Sequence, residues 1–222
     1  MPNTFVIQDD FLPWLGFANA GMLGAGNVFL MDYAIERVSS SPILEIGTFC
    51  GLSTNVMAYL LRRHKKNNRI YSADKWIFEG SEQIYLGSSG ISHADYREFV
   101  KSSYLRNVAF FSPTNTPFTI EVVSDEFFAL WGRNENASDV FGRSITLGGP
   151  ISFCYIDGNH TLEFVKRDFE NTDRYLEPGG FILFDDSGDG DSFGLTPLMS
   201  EISQRGDYQL VMKNPNYLFQ KL

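Results

Sequence analysis

The chain has 222 residues, 43% hydrophobic and 20% charged, enough to bury a core without disulfides and unlike a disordered tail or a coiled coil. Eighteen Lys and Arg against 27 Asp and Glu leave a net charge of −9, which disfavours nucleic acid or anionic membrane as a partner drawn by a general field. No apolar run is long enough to span a bilayer, the start MPNTFVIQDD lacks the regions of a signal peptide, and Cys50 and Cys154 are too few for a disulfide scaffold, so the expectation is one soluble, cytoplasmic domain over residues 1–222.

In chain order, residues 1–40 read as a helical lead-in, with a helix from Gly21 to Arg37. Pro42 to Gly47 is a short apolar run ending at glycine, a buried strand. Leu52 to His64 follows as a helix, with Ser53 or Thr54 to cap it and Val56, Met57, Leu60 and Leu61 on its inner face. The basic cluster Arg62, Arg63, Lys65 and Lys66 suits its C-terminal dipole. Arg69 to Asp74 is a second strand, and Phe118 to Val123 a third. Ile151 to Asp157 is a fourth, and Gly180 to Asp185 a fifth.

Between the last two, Leu162, Val165, Phe169, Thr172 and Leu176 recur at helical spacing, and Glu177-Pro-Gly-Gly180 stops that helix. Strands alternating with helices imply an α/β fold with a mostly parallel sheet covered on both faces. Tyr208–Lys213 and Tyr217–Lys221 flank Asn214-Pro215-Asn216, which predicts an antiparallel hairpin. Residues 75–93, rich in glycine, serine and aromatics, read as a lid loop over the sheet edge. Residues 132–150 read as a mobile polar insertion.

Glu45-Ile-Gly47-Thr48-Phe49-Cys50-Gly51 sits between a strand and a helix. Glycines there let the backbone approach a ligand, and a helix N-terminus offers N–H groups. The spacing is not G-x-G-x-x-G, and the Glu45 carboxylate would repel a diphosphate and suit an amino group. Asp74, ending the next strand, is placed for both hydroxyls of a ribose. Together they describe a pocket for a nucleoside bearing an amino acid; the plain alternative is a tight strand-to-helix turn.

ILEIGTFCGLSTNVMAYLL resembles motif I of the class I S-adenosylmethionine-dependent methyltransferases, and YIDGNHTLEFVKRDFENTDRYLEPGGFILFDDS resembles later motifs of their small-molecule, macrocin- and mycinamicin-type sugar O-methyltransferase branch. The resemblance implies a Rossmann-like seven-stranded sheet in the order 3-2-1-4-5-7-6, its last strand antiparallel. It implies S-adenosyl-L-methionine as cofactor and a hydroxylated small molecule as acceptor. Glu45, Gly47, Thr48, Phe49, Gly51 and Ser53 would surround the methionine moiety, with Asp157 beside them. Asp74 would hold the ribose, Ser124 and Asp125 would edge the adenine, and Trp76 would pack nearby. Gly21-Met22-Leu23-Gly24 is similar to a Thr-Met-x-Gly stretch that closes over the cofactor in the sugar enzymes, with Gly21 in place of threonine and Met22 retained.

Asp157, Asp185 and Asp186 end neighbouring strands, and three carboxylates brought together are costly unless a cation neutralises them. Oxygen ligands favour Mg²⁺ or Mn²⁺ over zinc, and the sugar-methylating relatives carry three acidic ligands at matching positions. His160, three residues after Asp157, matches a proposed general base of the mycinamicin-type enzymes; histidine as a residue type titrates near neutrality. Asn159 stands where other relatives place an aspartate, which favours His160 and also admits a different chemistry. The loop Asp186-Ser-Gly-Asp189-Gly-Asp191 fails the EF-hand spacing and reads as a mobile acidic loop. Metal-independent or N-methylating chemistry, and a non-catalytic cofactor-binding protein, stay open as alternatives. So does the choice between a monomer and a homo-oligomer.

Overall fold

A computed structural model describes residues 4–78, 80–190 and 192–222. Seven strands form one sheet: β1 (Ile43–Ile46), β2 (Ile70–Ala73), β3 (Phe118–Ile120), β6 (Ile151–Ile156), β7 (Leu176–Phe184), β8 (Tyr208–Lys213) and β9 (Tyr217–Lys221). Their order is β3-β2-β1-β6-β7-β9-β8, with a separate two-stranded sheet of β4 (Asn136–Ser138) and β5 (Ser144–Thr146). With that hairpin set aside, the order is the expected 3-2-1-4-5-7-6. The pairings from β3 to β7 are parallel, and β9 runs antiparallel to both β7 and β8.

The alternation of side chains along β6 and β7 divides the core. Cys154, Ile156, Ile182 and Phe184 face one layer with Phe127, Trp131, Phe169 and Met199. Phe153, Tyr155, Phe181 and Leu183 face the other with Leu15, Leu30, Leu60 and Leu61. The first layer is α5 (Ser124–Gly132), α6 (Leu162–Asp173) and α7 (Thr196–Ser203). The second is α1 (Phe11–Ala18), α2 (Ala25–Arg37) and α3 (Leu52–Arg63). With both faces covered, the strands are buried on alternate sides, and their few polar residues, Glu45, Ser72, Thr119 and Ser152, are buried with them.

Several expectations need correction. The lead-in is two helices, and the expected helix from Gly21 begins only at Ala25. Gly21 is instead pressed on α3, where a Cβ would lie 2.5 Å from the Leu52 Cβ. The helix before β7 ends at Asp173, and Leu176 already belongs to that strand, paired with Ile151. Residues 132–150 are a folded hairpin: Asp139 accepts from the Phe141 and Arg143 amides and pairs with the Arg143 side chain. Val140 N–H donates to the Thr119 carbonyl at 2.9 Å, tying the hairpin to β3.

A further helix, α4 (His93–Phe111), was not expected at all. Its buried stripe is only Val100, Tyr104 and Val108, while Phe99 and Phe110 lie outside, so its amphipathic pattern is faint. Ser92 caps it by accepting from Asp95 N–H at 3.0 Å, and that Ser-x-x-Asp spacing was the available signal. The expected lid, residues 75–93, is a run of turns with one bridge, Tyr85 to Ser92; within it, residue 79 lies outside the described residues.

Candidate functional site

The order of strands reverses between β1 and β6, where open α/β sheets hold ligands outside the strands' carboxyl ends. Gly47 leaves β1 there at φ +83°, and a Cβ on it would stand 2.0 Å from the Asp157 carbonyl oxygen. Phe49 at φ +46° and Gly51 at φ +87° follow. Three left-handed residues at every second position wind the turn into α3. Phe49 occupies the middle one at a cost a glycine would not incur.

The carboxylates expected to face a ligand are spent on this turn. Asp74 accepts from Thr48 N–H at 2.7 Å, the Thr48 hydroxyl at 2.9 Å and Phe49 N–H at 3.1 Å. Its other oxygen takes Trp76 N–H at 2.6 Å. Glu45 is fully buried, and its oxygens accept from the hydroxyls of Ser53 at 2.5 Å, Thr54 at 2.5 Å and Ser72 at 3.2 Å. Burial pushes its carboxyl up to about 7 against those three hydroxyls. Glu45 and Ser53 therefore brace the start of α3 from beneath.

Trp76 is also an inner wall: it is 1% exposed, packs on Tyr104 and donates to the Phe49 carbonyl at 3.0 Å. Ser124 and Asp125 start α5 at the same sheet edge but turn toward α6. Ser124 lies beside the buried Asp168, and Asp125 pairs with Arg167 at 3.3 Å and accepts from Asn171 at 2.9 Å. Met22 is 87% exposed on the irregular segment between α1 and α2. That segment is anchored by Asn19, which donates to the Cys50 carbonyl at 3.0 Å and accepts from Asn55 at 2.7 Å.

On the other side of the crevice Asp157 lies against Asp185, and burial first, then Asp185, raises the Asp157 carboxyl well above the ordinary range. Asp185 accepts from Asn27 at 2.5 Å, Asn216 at 2.6 Å and the Tyr155 hydroxyl at 2.9 Å. Asp186 turns away at φ +50°, and its carboxylate lies 3.2 Å from His160 Nδ1. The His160 ring packs on Phe193, centroids 4.8 Å apart. Asp189, expected in a mobile acidic loop, is held by Lys213 at 2.8 Å and by the Tyr217 hydroxyl; Asp191 lies outside the described residues.

The donor chemistry of Asp157, Asp185 and Asp186 suits a hard cation, but their placement does not form the expected cage. Among the described residues no group of three or more His, Cys, Asp or Glu side chains is arranged to hold a metal ion. Asp185 already accepts from Asn27, Asn216 and Tyr155 and Asp186 faces His160, so a cation would share these carboxylates with those partners. The neutral donors on Asp185 were missed from the sequence, because α2 and the β8–β9 turn reach it only through tertiary packing. A lone asparagine in the apolar run around Asn27 was the sole hint.

A family model described as a methyltransferase domain matches residues 44–187. Among solved structures, the chain resembles the O-methyltransferase TomG from Streptomyces achromogenes, described as involved in tomaymycin synthesis and in complex with SAM. The identity is 16% and the TM-score 0.58, over 97% of this chain and 91% of that one. The O-methyltransferase NovP aligns at 15% identity and a TM-score of 0.59, over 90% and 81%. An rRNA methylase from Streptococcus thermophilus aligns at 14% and 0.54, over 91% and 99%. Likeness at these identities is a likeness of fold, and it spans more than one class of acceptor. Among the described residues no helix is long and apolar enough to cross a membrane.

Proposed function

The chain belongs to the methyltransferase-domain family, and from that premise we propose that it transfers a methyl group from S-adenosyl-L-methionine to a hydroxyl of a small molecule. The observation that carries this reading is the pairing, across one crevice, of the left-handed turn at Gly47, Phe49 and Gly51 with His160. S-adenosylmethionine supplies a methyl group on a positively charged sulfur. The protein's part is to seat that donor, hold the acceptor oxygen in line and take its proton.

Gly47, Thr48, Phe49 and Gly51, opening into α3, would lie along the methionine end. Asp74 would turn from the Thr48 and Phe49 amides toward the ribose hydroxyls, and Ser124 and Asp125 mark the adenine end. Met22, on its exposed segment, would close over the donor. His160 would take the hydroxyl proton. The net charge of −9 favours a small acceptor over a nucleic acid.

Mg²⁺ or Mn²⁺ enters this reading only through the chemistry of Asp157, Asp185 and Asp186, which would hold it alongside their present hydrogen-bond partners. The proton path runs through His160 without it. Calorimetry with S-adenosylhomocysteine and NAD, followed by radiolabelled methyl transfer to a panel of sugars, phenols and amines in EDTA or Mg²⁺, tests the reading. Homocysteine-nucleoside binding without NAD binding, and labelling of hydroxylated acceptors that persists in EDTA, are expected. Labelling of amines alone would move the chemistry to nitrogen, and loss of all labelling in EDTA would restore the cation.

A further inference from the structure

We propose that Asp186 and Phe193 are positioning residues that fix His160 with its proton on Nδ1 and its Nε2 free to act. The inference rests on His160 being the base that takes the acceptor proton, and it deepens that reading.

Consecutive carboxylates at the end of β7 point to opposite sides. Asp185 turns inward to Asn27, Asn216 and Tyr155. Asp186, at φ +50°, turns outward and meets His160 Nδ1 at 3.2 Å. A left-handed aspartate is uncommon and persists where its surroundings over-determine it. Here they do. The Asp185 amide still bonds the Ile156 carbonyl at 2.9 Å. The next two amides, of Ser187 and Gly188, both donate to Asn216 Oδ1 at 3.0 Å, and Ser187 Oγ accepts from Tyr217 N–H at 2.9 Å.

The β8–β9 turn thus clamps residues 185–188 from both sides and sets the direction in which Asp186 projects. An ionised carboxylate can only accept, so Asp186 beside Nδ1 draws the imidazole proton to that nitrogen. The opposite nitrogen is left as the base. Phe193, tilted 50° to the imidazole with centroids 4.8 Å apart, packs against the ring and limits its rotation away from Asp186. The pair then has the form of a base and its orienting carboxylate, an arrangement known to set the histidine tautomer.

The chain has three histidines, so the tautomer is readable directly by two-bond ¹H–¹⁵N correlation on labelled protein at about pH 8.5, with His160 assigned through His160→Gln. The wild type should show the Nδ1–H form. Asp186→Gly, which removes the carboxylate and suits the left-handed backbone, should shift His160 to the Nε2–H form. Asp186→Asn, which keeps an acceptor oxygen, should restore part of the Nδ1–H form. Phe193→Ala should give a mixture that Phe193→Tyr reverses.

On any acceptor found active, Asp186→Gly should lower kcat roughly 10- to 100-fold with the Kd for S-adenosylhomocysteine unchanged. A wild-type proton on Nε2, or a tautomer indifferent to Asp186, would overturn the proposal. So would stoichiometric Mg²⁺ that releases His160 from Asp186. The spectra need no acceptor. If they hold and no hydroxyl is methylated, the reading of the reaction falls while the pair stands.

Discussion

At the β1–β2 end of the crevice, Glu45 is fully buried and Asp74 half-buried, and each is satisfied by the protein's own hydroxyls and amides. At the β6–β7 end, His160 and Asp186 keep about a quarter and a third of their side chains exposed, 27% and 32%. The first arrangement holds the turn into α3 through the protein's own hydrogen bonds. The second leaves one imidazole edge where an acceptor can reach it. The difference teaches that burial and availability are divided between the two sides of one switch point. Carboxylates whose oxygens are filled by the protein's own donors shape the backbone, and the pair with a half-exposed imidazole is left for chemistry.

The sharpest break in that comparison is His160→Ala. It should lower turnover by roughly 10²–10⁴-fold while the affinity for S-adenosylhomocysteine stays the same, because the turn into α3 is untouched. Steady-state rates and calorimetry on the same preparation check it, and a wild-type rate would hand the proton to water.

Gly47→Ala attacks that turn instead. The added methyl would meet the Asp157 carbonyl at 2.0 Å on a left-handed backbone, and about 3 kcal/mol of stability should be lost. Urea unfolding measures this, and an unchanged midpoint would mean that β1 and β6 are not packed as described.

Stability against pH sharpens the contrast further. Burial raises Glu45 to about 7, so the folded chain keeps a proton that the unfolded chain has lost above the ordinary carboxyl range. The associated stabilisation is complete below a pH of about 4.5 and is lost as pH rises through about 7, on the order of 3 kcal/mol. Asp168, raised by burial to about 7 beside Ser124, adds in the same direction. Unfolding midpoints should fall between about pH 5 and pH 8, and Glu45→Gln should flatten the fall.

The smallest expected effect is Asp74→Ala. It leaves the Thr48 and Phe49 amides without their acceptor and should weaken S-adenosylhomocysteine by about 1.5–3 kcal/mol. Titration calorimetry reads the change, and unaltered affinity would remove Asp74 from the ligand's path.

The sequence alone determined the sheet. Apolar runs ending in glycine or a carboxylate, separated by helical periods, specify parallel strands by elementary burial. Asn214-Pro215-Asn216 between two apolar segments specifies the closing hairpin. It also placed Gly47, Asp74, Asp157, His160 and Asp186 at one edge, because strand ends in such a sheet lie on one side. The helix α4 was less legible, since three buried residues in nineteen give a weak period and its cap is only two residues' worth of signal.

What only the tertiary structure decided is where each carboxylate spends its hydrogen bonds. Glu45, expected beside an amino group, also anchors α3, because Ser53 and Thr54 in that helix's first turn come back over it. Asp185 and Asp186 looked like equivalent members of a cation site. Asn27 from an early helix and Asn216 from the last turn claim one, and His160 takes the other. Sequence fixes which groups reach an edge; the direction of a side chain depends on partners some thirty to nearly one hundred and sixty residues away in the chain, and those meet only when the sheet has closed.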